Sequence, residues 1–501
     1  MKKLLYILGL LAVSFGFVSC EPEFDNPLSE DVYHSGDADF STYVSVGNSL
    51  TAGYTNGTLY KSAQSMSFPK ILAGQMALAG GGEFTQPFLD DDINDVGGLL
   101  LFGNIIAAPK LVVDASQGTV EPINAMPTIE VSNLHPGPYN NMGVPGAKSF
   151  HLLAPGYGKL ANIPLGKANP YYVRMASNEN ALVIQDAIAQ QPTFFTLWIG
   201  NNDVLSYATS GGIGEDQTGN QDLTTYGPND ITDPGVFAYV YQQLLDALTA
   251  TGAKGVVATI PDVSSIPFFT TIPYNPIPLT DQAQVDALNN AYAQYNAGLL
   301  QVVALGLLSP EEAALRTIHF QLGANAIVIE DESLTDLTSL NLPSIRQANA
   351  YDLVLLTAKS VIGQADPNNP QLIYGLTVPL EDKWILIPQE ITSIRAATMA
   401  YNVAIEQLAA AKSIAVADMA SIMLQLHDKL ATEDGSIYTA DYFNGSNLNE
   451  LAFGLDGVHP NPRGYAIIAN EFTKVINRMY NANMPLVNPS YYPTIPIVPS
   501  N

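Results

Sequence analysis

Residues 233–261, DPGVFAYVYQQLLDALTATGAKGVVATIP, decide the fold class. Asp233 followed by proline is typical of a helix start, and the apolar residues after it recur every three or four positions until Gly252. Shortly afterwards, the β-branched run 255–260 ends at a proline and predicts a short buried strand. A helix that leads directly into a buried strand is the repeating unit of a parallel α/β sheet.

Other parts of the chain repeat this pattern. Three further strands and two further helical stripes are predicted, at 41–46, 193–199, 414–417, 285–299 and 391–408. Strands that alternate with helices imply a doubly wound parallel sheet covered by helices on both faces. The expected fold class is therefore α/β, in three layers with long insertions.

The segment from about 305 to 385 departs from this pattern. The runs 318–320 and 326–329 flank Leu-Gly-Ala-Asn like the two arms of a hairpin. An insertion fits this composition better than another strand and helix pair. Near the end of the chain, five prolines in residues 485–501 predict an extended tail.

Composition limits the classes of partner. The 501 residues contain 20 Lys+Arg and 47 Asp+Glu, which gives a formal net charge of −27 and argues against nucleic acid as a partner. With 47% hydrophobic and 13% charged residues, we expect a folded body with a large core, spanning 40–484. A single cysteine excludes a disulfide within the chain and a cysteine-based zinc site.

The N-terminus has the features of an export signal. Two lysines precede the apolar run 4–18, which is too short to span a bilayer comfortably, and small residues lead to Cys20. This resembles a bacterial lipoprotein signal: 1–19 would be removed, Cys20 would carry the lipid, and the acidic residues 20–39 would form a tether. The protein would then be held on the periplasmic or cell-surface side of the outer membrane. The alternative is an ordinary cleaved signal in which Cys20 is incidental.

Residues capable of catalysis follow two of the predicted strands. Ligands of a doubly wound sheet bind at the carboxyl ends of its strands. The string GNSL, residues 47–50, follows one strand and places Ser49 at a helix start, where backbone N–H groups can stabilise an oxyanion. The string GNND, residues 200–203, follows another strand, and the amide of Asn202 is a candidate donor to the same oxyanion. Alone, each string is also consistent with a plain turn.

Two further strings complete the set. In DGVHPNP, residues 456–462, Asp456 precedes His459 by three positions, so its carboxylate can hold one ring nitrogen and leave the other as a general base. In GVPGA, residues 143–147, Gly146 allows a backbone N–H to approach a substrate oxygen closely. A Pro-Gly turn is the alternative for the second string.

Together, the four strings resemble the blocks of the SGNH hydrolases, also called the GDSL lipase/esterase family. The resemblance runs from about 40 to 480 and implies the flavodoxin-like three-layer SGNH fold. It also implies a catalytic triad of Ser49, His459 and Asp456, with an oxyanion hole formed by Ser49, Gly146 and Asn202. The implied reaction is hydrolysis of a carboxylic ester, either a lipid acyl ester or an acetylated glycan, through an acyl-enzyme and without a cofactor.

One residue departs from the family pattern, and several alternatives stay open. Asn48 stands where the family usually has Asp. A catalytically inert surface lipoprotein that binds glycan or lipid on the same scaffold is a second interpretation. The apolar run 99–102 predicts either a cover over an acyl chain or part of the core. No metal site is expected, because the acidic residues in 90–95 lack the glycine of a calcium loop and predict a solvated loop.

Overall fold

The computed structural model of the chain describes residues 33–432 and 435–499. The expected signal at 1–19, Cys20 and the tether up to residue 32 lie outside the described residues. The remaining part of the expected tether is attached to the folded body. The backbone N–H of His34 donates to Asn483 O at 3.2 Å, and that of Asp37 donates to Tyr480 O at 2.7 Å. The folded body therefore includes residues before position 40.

A sheet of five parallel strands lies at the centre of the structure. Its strands are β1 (Tyr43–Gly47), β2 (Asn141–Gly143), β3 (Phe194–Trp198), β4 (Lys254–Ala258) and β5 (Ala415–Ala417). The strand order is β2-β1-β3-β4-β5, and every neighbouring pair is parallel. The chain moves from β1 to one side and then returns to the other side, so a crevice opens between the carboxyl ends of β1 and β3.

Helices lie on both faces of the sheet, at its carboxyl edge and in an inserted lobe. They are α1 (Ser49–Ala52), α2 (Phe68–Leu78), α3 (Asn202–Thr209), α4 (Pro234–Thr249), α5 (Gln282–Ala304), α6 (Pro388–Ala411), α7 (Met419–His427) and α8 (Pro462–Tyr480). Shorter helices lie at Lys61–Gln64, Pro170–Met175, Val183–Ile188, Pro267–Thr270 and Pro310–Arg316. The predicted start of α4 is confirmed, since the Asp233 side chain accepts from Val236 N at 2.8 Å.

Both faces of the sheet are buried, because successive side chains of a strand point to opposite faces. Val44 on one face belongs to the apolar core that contains Tyr241 of α4 and Tyr401 of α6. Tyr43 on the other face belongs to a second core with Phe472 of α8. The expected α/β sheet with helices on both faces is confirmed at this level. The strand β2 was not predicted, since its sequence Asn-Met-Gly lacks a β-branched run.

An inserted lobe separates β4 from α6, and it begins earlier than the predicted boundary at 305. Its own apolar core takes in residues from Ile277 to Ile387, including the stripe of α5. The apolar residues of α5 would recur with the same period if the helix packed on the sheet or in the lobe. The sequence alone therefore does not show where the lobe begins.

The predicted hairpin within the lobe is wrong. Its paired strands are Ile277–Leu279 with Gly323–Asn325, Val328–Glu330 with Ile345–Gln347, Leu353–Val354 with Ile385–Leu386, and Ala365–Asp366 with Asn369–Ile373. The residues predicted to form the hairpin turn are therefore largely a strand of another pair. The strands Gly323–Asn325 and Val328–Glu330 each pair with a strand that is distant in the sequence, although the composition of the turn suggests that the two predicted runs pair with each other.

Small antiparallel pairs outside the lobe complete the structure. They are Leu99–Leu101 with Asn104–Ala107, Leu111–Asp114 with Thr119–Pro122, and Leu430–Ala431 with Ile437–Tyr438. The proline-containing tail packs onto one of them, where Ile497–Val498 pairs in parallel with Leu111–Asp114. Within the described ranges, no helix combines the length and the apolar character needed to cross a membrane.

Three carboxyl groups meet where the lobe contacts the start of α6. Possible ligand atoms of Glu332, Asp382 and Glu390 lie within 4.8 Å of one another. Burial, together with the neighbouring carboxylates, raises the pKa of Asp382 to about 7 and that of Glu390 to about 8. The Glu390 carboxyl also accepts from Ile387 N at 2.8 Å. At neutral pH, protonation of Asp382 and Glu390 reduces the electrostatic repulsion between the lobe and α6.

We predict that Glu390→Gln reduces the loss of stability as the pH rises from about 4.5 to about 8. In the unfolded chain this carboxyl ionises near 4.5, whereas the folded protein keeps the proton up to about 8. The free energy of unfolding therefore falls as pH rises through this window, and the neutral amide removes that part of the dependence. Thermal melts from pH 5 to 9 measure it. Glu406→Gln, on the exposed face of the same helix, is the control; identical pH slopes for the two variants would contradict the prediction.

Candidate active site

The candidate site lies at the carboxyl edge of the sheet, where the strand order reverses. Ser49 follows β1, Gly146 follows β2 and Asn202 follows β3. These strands are neighbours, with β1 in the middle. Three residues that are far apart in sequence therefore approach the same edge, which is where doubly wound sheets bind their ligands.

The turn after β1 presents Ser49 at the first position of α1. The Asn48 side chain caps this short helix by accepting from Leu50 N at 3.0 Å. A side chain at Gly47 would place its Cβ 2.4 Å from the Trp198 carbonyl oxygen, so only glycine fits where β1 and β3 end together. Ser49 is 6% exposed and is held on a fixed backbone.

Ser49, His459 and Asp456 form one hydrogen-bonded chain. Ser49 Oγ lies 2.9 Å from His459 Nε2, and His459 Nδ1 lies 3.0 Å from Asp456 Oδ2. With an ionised carboxylate on the Nδ1 side, that nitrogen carries the hydrogen, and Nε2 is free to accept from the serine hydroxyl. The three side chains have the geometry of a nucleophile, a base and a group that orients the base.

Asp456 is held as an anion by its surroundings. Burial by itself raises the pKa of its carboxyl, but His459 and the backbone N–H groups of His459 and Val458 hold that pKa below its usual value. Both of those N–H groups donate to Oδ1 at 2.9 Å. The Gly57 N–H donates to Oδ2 at 2.8 Å. The carboxylate therefore stays ionised at neutral pH and keeps its orientation toward the imidazole.

Tyr54 fixes the imidazole from another side. Its ring centroid lies 4.5 Å from that of His459, and its hydroxyl donates to Gly57 O at 2.6 Å. Gly57 is also the residue whose N–H donates to Asp456. A turn near the start of the chain thus contacts both the base and its carboxylate. No motif in the sequence marks Tyr54 or Gly57, so neither residue can be predicted from it.

The block after β3 connects the other parts of the site. Asn201 Oδ1 accepts from Asn48 Nδ2 at 3.2 Å, next to the nucleophile. Asn202 Nδ2 donates to Ala147 O at 2.9 Å, and Asp203 accepts from Ser149 at 2.7 and 2.8 Å. Both Ala147 and Ser149 belong to the segment after Gly146. Each side chain of the block therefore positions one neighbouring element.

The three predicted oxyanion donors follow the neighbouring strands β1, β2 and β3. Among the described residues, no hydrogen-bond acceptor meets the backbone N–H of Ser49 or of Gly146. The Asn202 amide uses one hydrogen on Ala147 and keeps a second. Gly146 has a φ of +79°, a conformation that favours glycine.

Gly146 differs from the other predicted site residues in its position. Asn48, Ser49, Asn201, Asn202 and His459 all line one cleft, which we name the serine cleft. Gly146 does not line this cleft and borders a groove on the neighbouring surface. The structure thus brings Ser49, Asn202 and His459 together directly and places Gly146 beside them.

Two expectations about the segment after Ser49 are met in part. The run at 99–102 does not line the serine cleft, and its core alternative holds for Leu99, which is buried in a small apolar core, and for Leu101, which packs against that core. The acidic loop at 90–95 is solvated at Asp90, whose side chain is 71% exposed, but not throughout. Asp91 pairs with both terminal nitrogens of Arg174, and the buried Asp92 accepts from Val96 N and Gly97 N. The composition of residues 90–95 predicts a polar surface. In the structure, the Arg174 guanidinium and nearby backbone N–H groups donate hydrogen bonds to Asp91 and Asp92.

Comparison with known proteins does not place the chain in a family. No family model matches the sequence, and a search of curated proteins gives no match either. The roles of the site residues are therefore inferred from their geometry and from the motifs.

We predict that Tyr54→Phe slows modification of Ser49 by a fluorophosphonate about fivefold. The substitution removes the hydrogen bonds of the hydroxyl to Gly57 and Tyr171 and loosens the support of His459 and Asp456 without removing the ring. Labelling rates from pH 5 to 9 measure the effect and show whether the apparent pKa of the base moves. Tyr292→Phe removes an equally short bond, 2.6 Å to Leu376 O in the inserted lobe, and serves as the control. Equal rates for Tyr54→Phe and the unmodified protein would contradict a positioning role.

Proposed function

We propose that the protein is a serine esterase of the SGNH type that hydrolyses carboxylic esters. The observation that carries this proposal is the chain of hydrogen bonds from Ser49 through His459 to Asp456, at 2.9 and 3.0 Å. It lies at the carboxyl edge of a parallel sheet, with three oxyanion donors on neighbouring strands. No metal or cofactor is needed for this chemistry.

Acylation begins when Ser49 Oγ attacks the carbonyl carbon of the ester. His459 Nε2 takes the hydroxyl proton, and the negative charge develops on the former carbonyl oxygen. The C–O bond to the alcohol then breaks, and His459 returns the proton to the leaving oxygen. Asp456 stabilises the imidazolium that exists between these two proton transfers.

Deacylation repeats the sequence with water. His459 takes a proton from the water molecule as its oxygen attacks the acyl-enzyme, and then returns that proton to Ser49 Oγ. The products are one carboxylic acid and one alcohol, and the enzyme regains its starting state. In both halves, the N–H groups of Ser49 and Gly146 and the amide of Asn202 stabilise the oxyanion.

Asn48 is compatible with this mechanism. Its carbonyl oxygen caps α1, as an aspartate would, and its amide donates to Asn201 at 3.2 Å, which an aspartate cannot do. The departure from the family pattern therefore exchanges a buried charge for a hydrogen bond. It leaves the triad side chains in place.

We predict a graded loss of activity from two substitutions. Ser49→Ala removes the nucleophile and should lower kcat for p-nitrophenyl acetate by about a thousandfold or more. Asn202→Ala removes one oxyanion donor and should lower kcat about a hundredfold. Initial rates and fluorophosphonate labelling of the purified chain measure both effects.

The control is Ser65→Ala, at an exposed serine outside the site. Full activity of Ser49→Ala would refute the assignment of the nucleophile. No hydrolysis of any ester, together with no labelling, would favour an inert binding protein on the same scaffold.

We further propose, from the sequence, that the chain is an exported lipoprotein anchored through Cys20. In a bacterial host, Cys20→Ser should move the protein from the membrane fraction to the soluble fraction and abolish incorporation of labelled palmitate. Ser19→Ala, at the neighbouring position, is the control. Absence of palmitate labelling in the unmodified protein, with both proteins in the soluble fraction, would favour the alternative of an ordinary cleaved signal in which Cys20 is incidental.

A further inference from the structure

The serine cleft is polar at one end and apolar everywhere else. Part of it opens to solvent. The reactive groups Ser49, His459 and Asn202 lie at the polar end. The remaining wall includes Leu205, Ile266, Met419, Met423, Phe453 and Ile468. A cleft with this lining accommodates a ligand that places an apolar part beside a single reactive group.

The lining excludes a sugar from the depth of the cleft. Within the part of the chain that the structure describes, no aspartate, glutamate, lysine or arginine lines it. The one polar group of the apolar wall is Trp198 Nε1, which already donates to Thr259 O at 3.2 Å. Sugar hydroxyls placed there would lose their hydrogen bonds to water and gain none from the protein.

The mechanism indicates which half of the ester enters the cleft. The alcohol must leave after acylation, and water must then reach the same position. The acyl group stays bound to Ser49 through both steps, so a closed apolar site serves the acyl chain and would obstruct exchange of the alcohol. Polar groups beyond the mouth remain available to the alcohol, since Gly146 borders an open groove there.

We propose that the serine cleft is an acyl-chain site and that the substrate is an ester of an aliphatic acid longer than acetate. This inference rests on the proposed esterase function and makes its substrate class specific. The wall on α7 suits such a chain, because Met419 and Met423 lie one turn apart and face the cleft. Methionine side chains are flexible and adapt to chains of different length.

A pair of isomeric esters provides the first test. Methyl heptanoate and hexyl acetate have the same composition but carry the chain on opposite sides of the ester. Each methylene of an acyl chain that enters the cleft should raise kcat/KM about fourfold. We therefore expect methyl heptanoate to be hydrolysed at least about tenfold more efficiently than hexyl acetate. Equal efficiency, or a preference for hexyl acetate, would overturn the acyl-chain assignment while leaving the esterase function in place.

Substitutions on α7 test where the acyl chain of the substrate binds. Met423→Trp narrows the cleft and should lower the ratio of kcat/KM for p-nitrophenyl octanoate over acetate at least about tenfold. Leu424→Trp is the matched control, because Leu424 is 61% exposed on the same helix and should leave the ratio unchanged. Met423→Ala enlarges the cleft and should move the optimum to longer chains, which preserves the test if the tryptophan variant does not fold.

The outcomes separate this inference from the proposed function. Hydrolysis of all chain lengths with one efficiency, or an unchanged octanoate ratio in both Met423 variants, would refute the acyl-chain site alone. Absence of hydrolysis at every length, together with no labelling of Ser49 by a fluorophosphonate, would refute the proposed function itself.

Discussion

The nucleophile and its base are 410 residues apart in the chain, and the geometry of the site depends on how two distant segments are joined. The turn at 54–57 and the loop at 454–459 meet through paired bonds. Asn56 Oδ1 accepts from Leu455 N at 2.9 Å, and the Gly57 N–H donates to Asp456 at 2.8 Å. Closing a flexible loop of this length costs about 5 kcal/mol in chain entropy. Two hydrogen bonds do not offset that cost, so the packing of α8 against the sheet must also contribute to holding the two segments together.

Apolar packing holds the two segments together, and the hydrogen bonds orient the catalytic side chains. The apolar core around Phe472 places α8, and with it the loop before α8, beside the end of β1. The turn at 54–57 contacts the imidazole through Tyr54 and the carboxylate through Gly57, and so fixes their orientation. On the other side of Ser49, the block after β3 does the same for the oxyanion donors, since Asn202 and Asp203 hold the segment that follows Gly146.

The sequence predicts the parts of this structure that local patterns specify. Four of the five strands, the cap at Asp233 and the long helices follow from periodicity and from start and stop signals, because each depends on residues close in the chain. The four site strings follow from short motifs that end a strand or begin a helix.

The remainder depends on contacts that no local pattern contains. The strand β2 is short and polar and is defined by its pairing with β1. The lobe boundary depends on which surface the apolar stripe of α5 covers. The prediction of a hairpin is wrong because its residues pair with strands that are distant in the sequence. Tyr54 has no motif around it, and its role comes only from the ring it contacts. The apolar wall on α7 looks in sequence like any amphipathic helix, and only its position beside Ser49 distinguishes it.

The helix α8 also determines where the N-terminal segment lies relative to the serine cleft. His459 lies just before its first turn, whereas His34 and Asp37 bind the residues at its far end. Nineteen helical residues span about 28 Å, so the N-terminal segment and the mouth of the cleft lie at opposite ends of one rigid rod. A body suspended from a surface by its N-terminal segment would hold the cleft on its distal side.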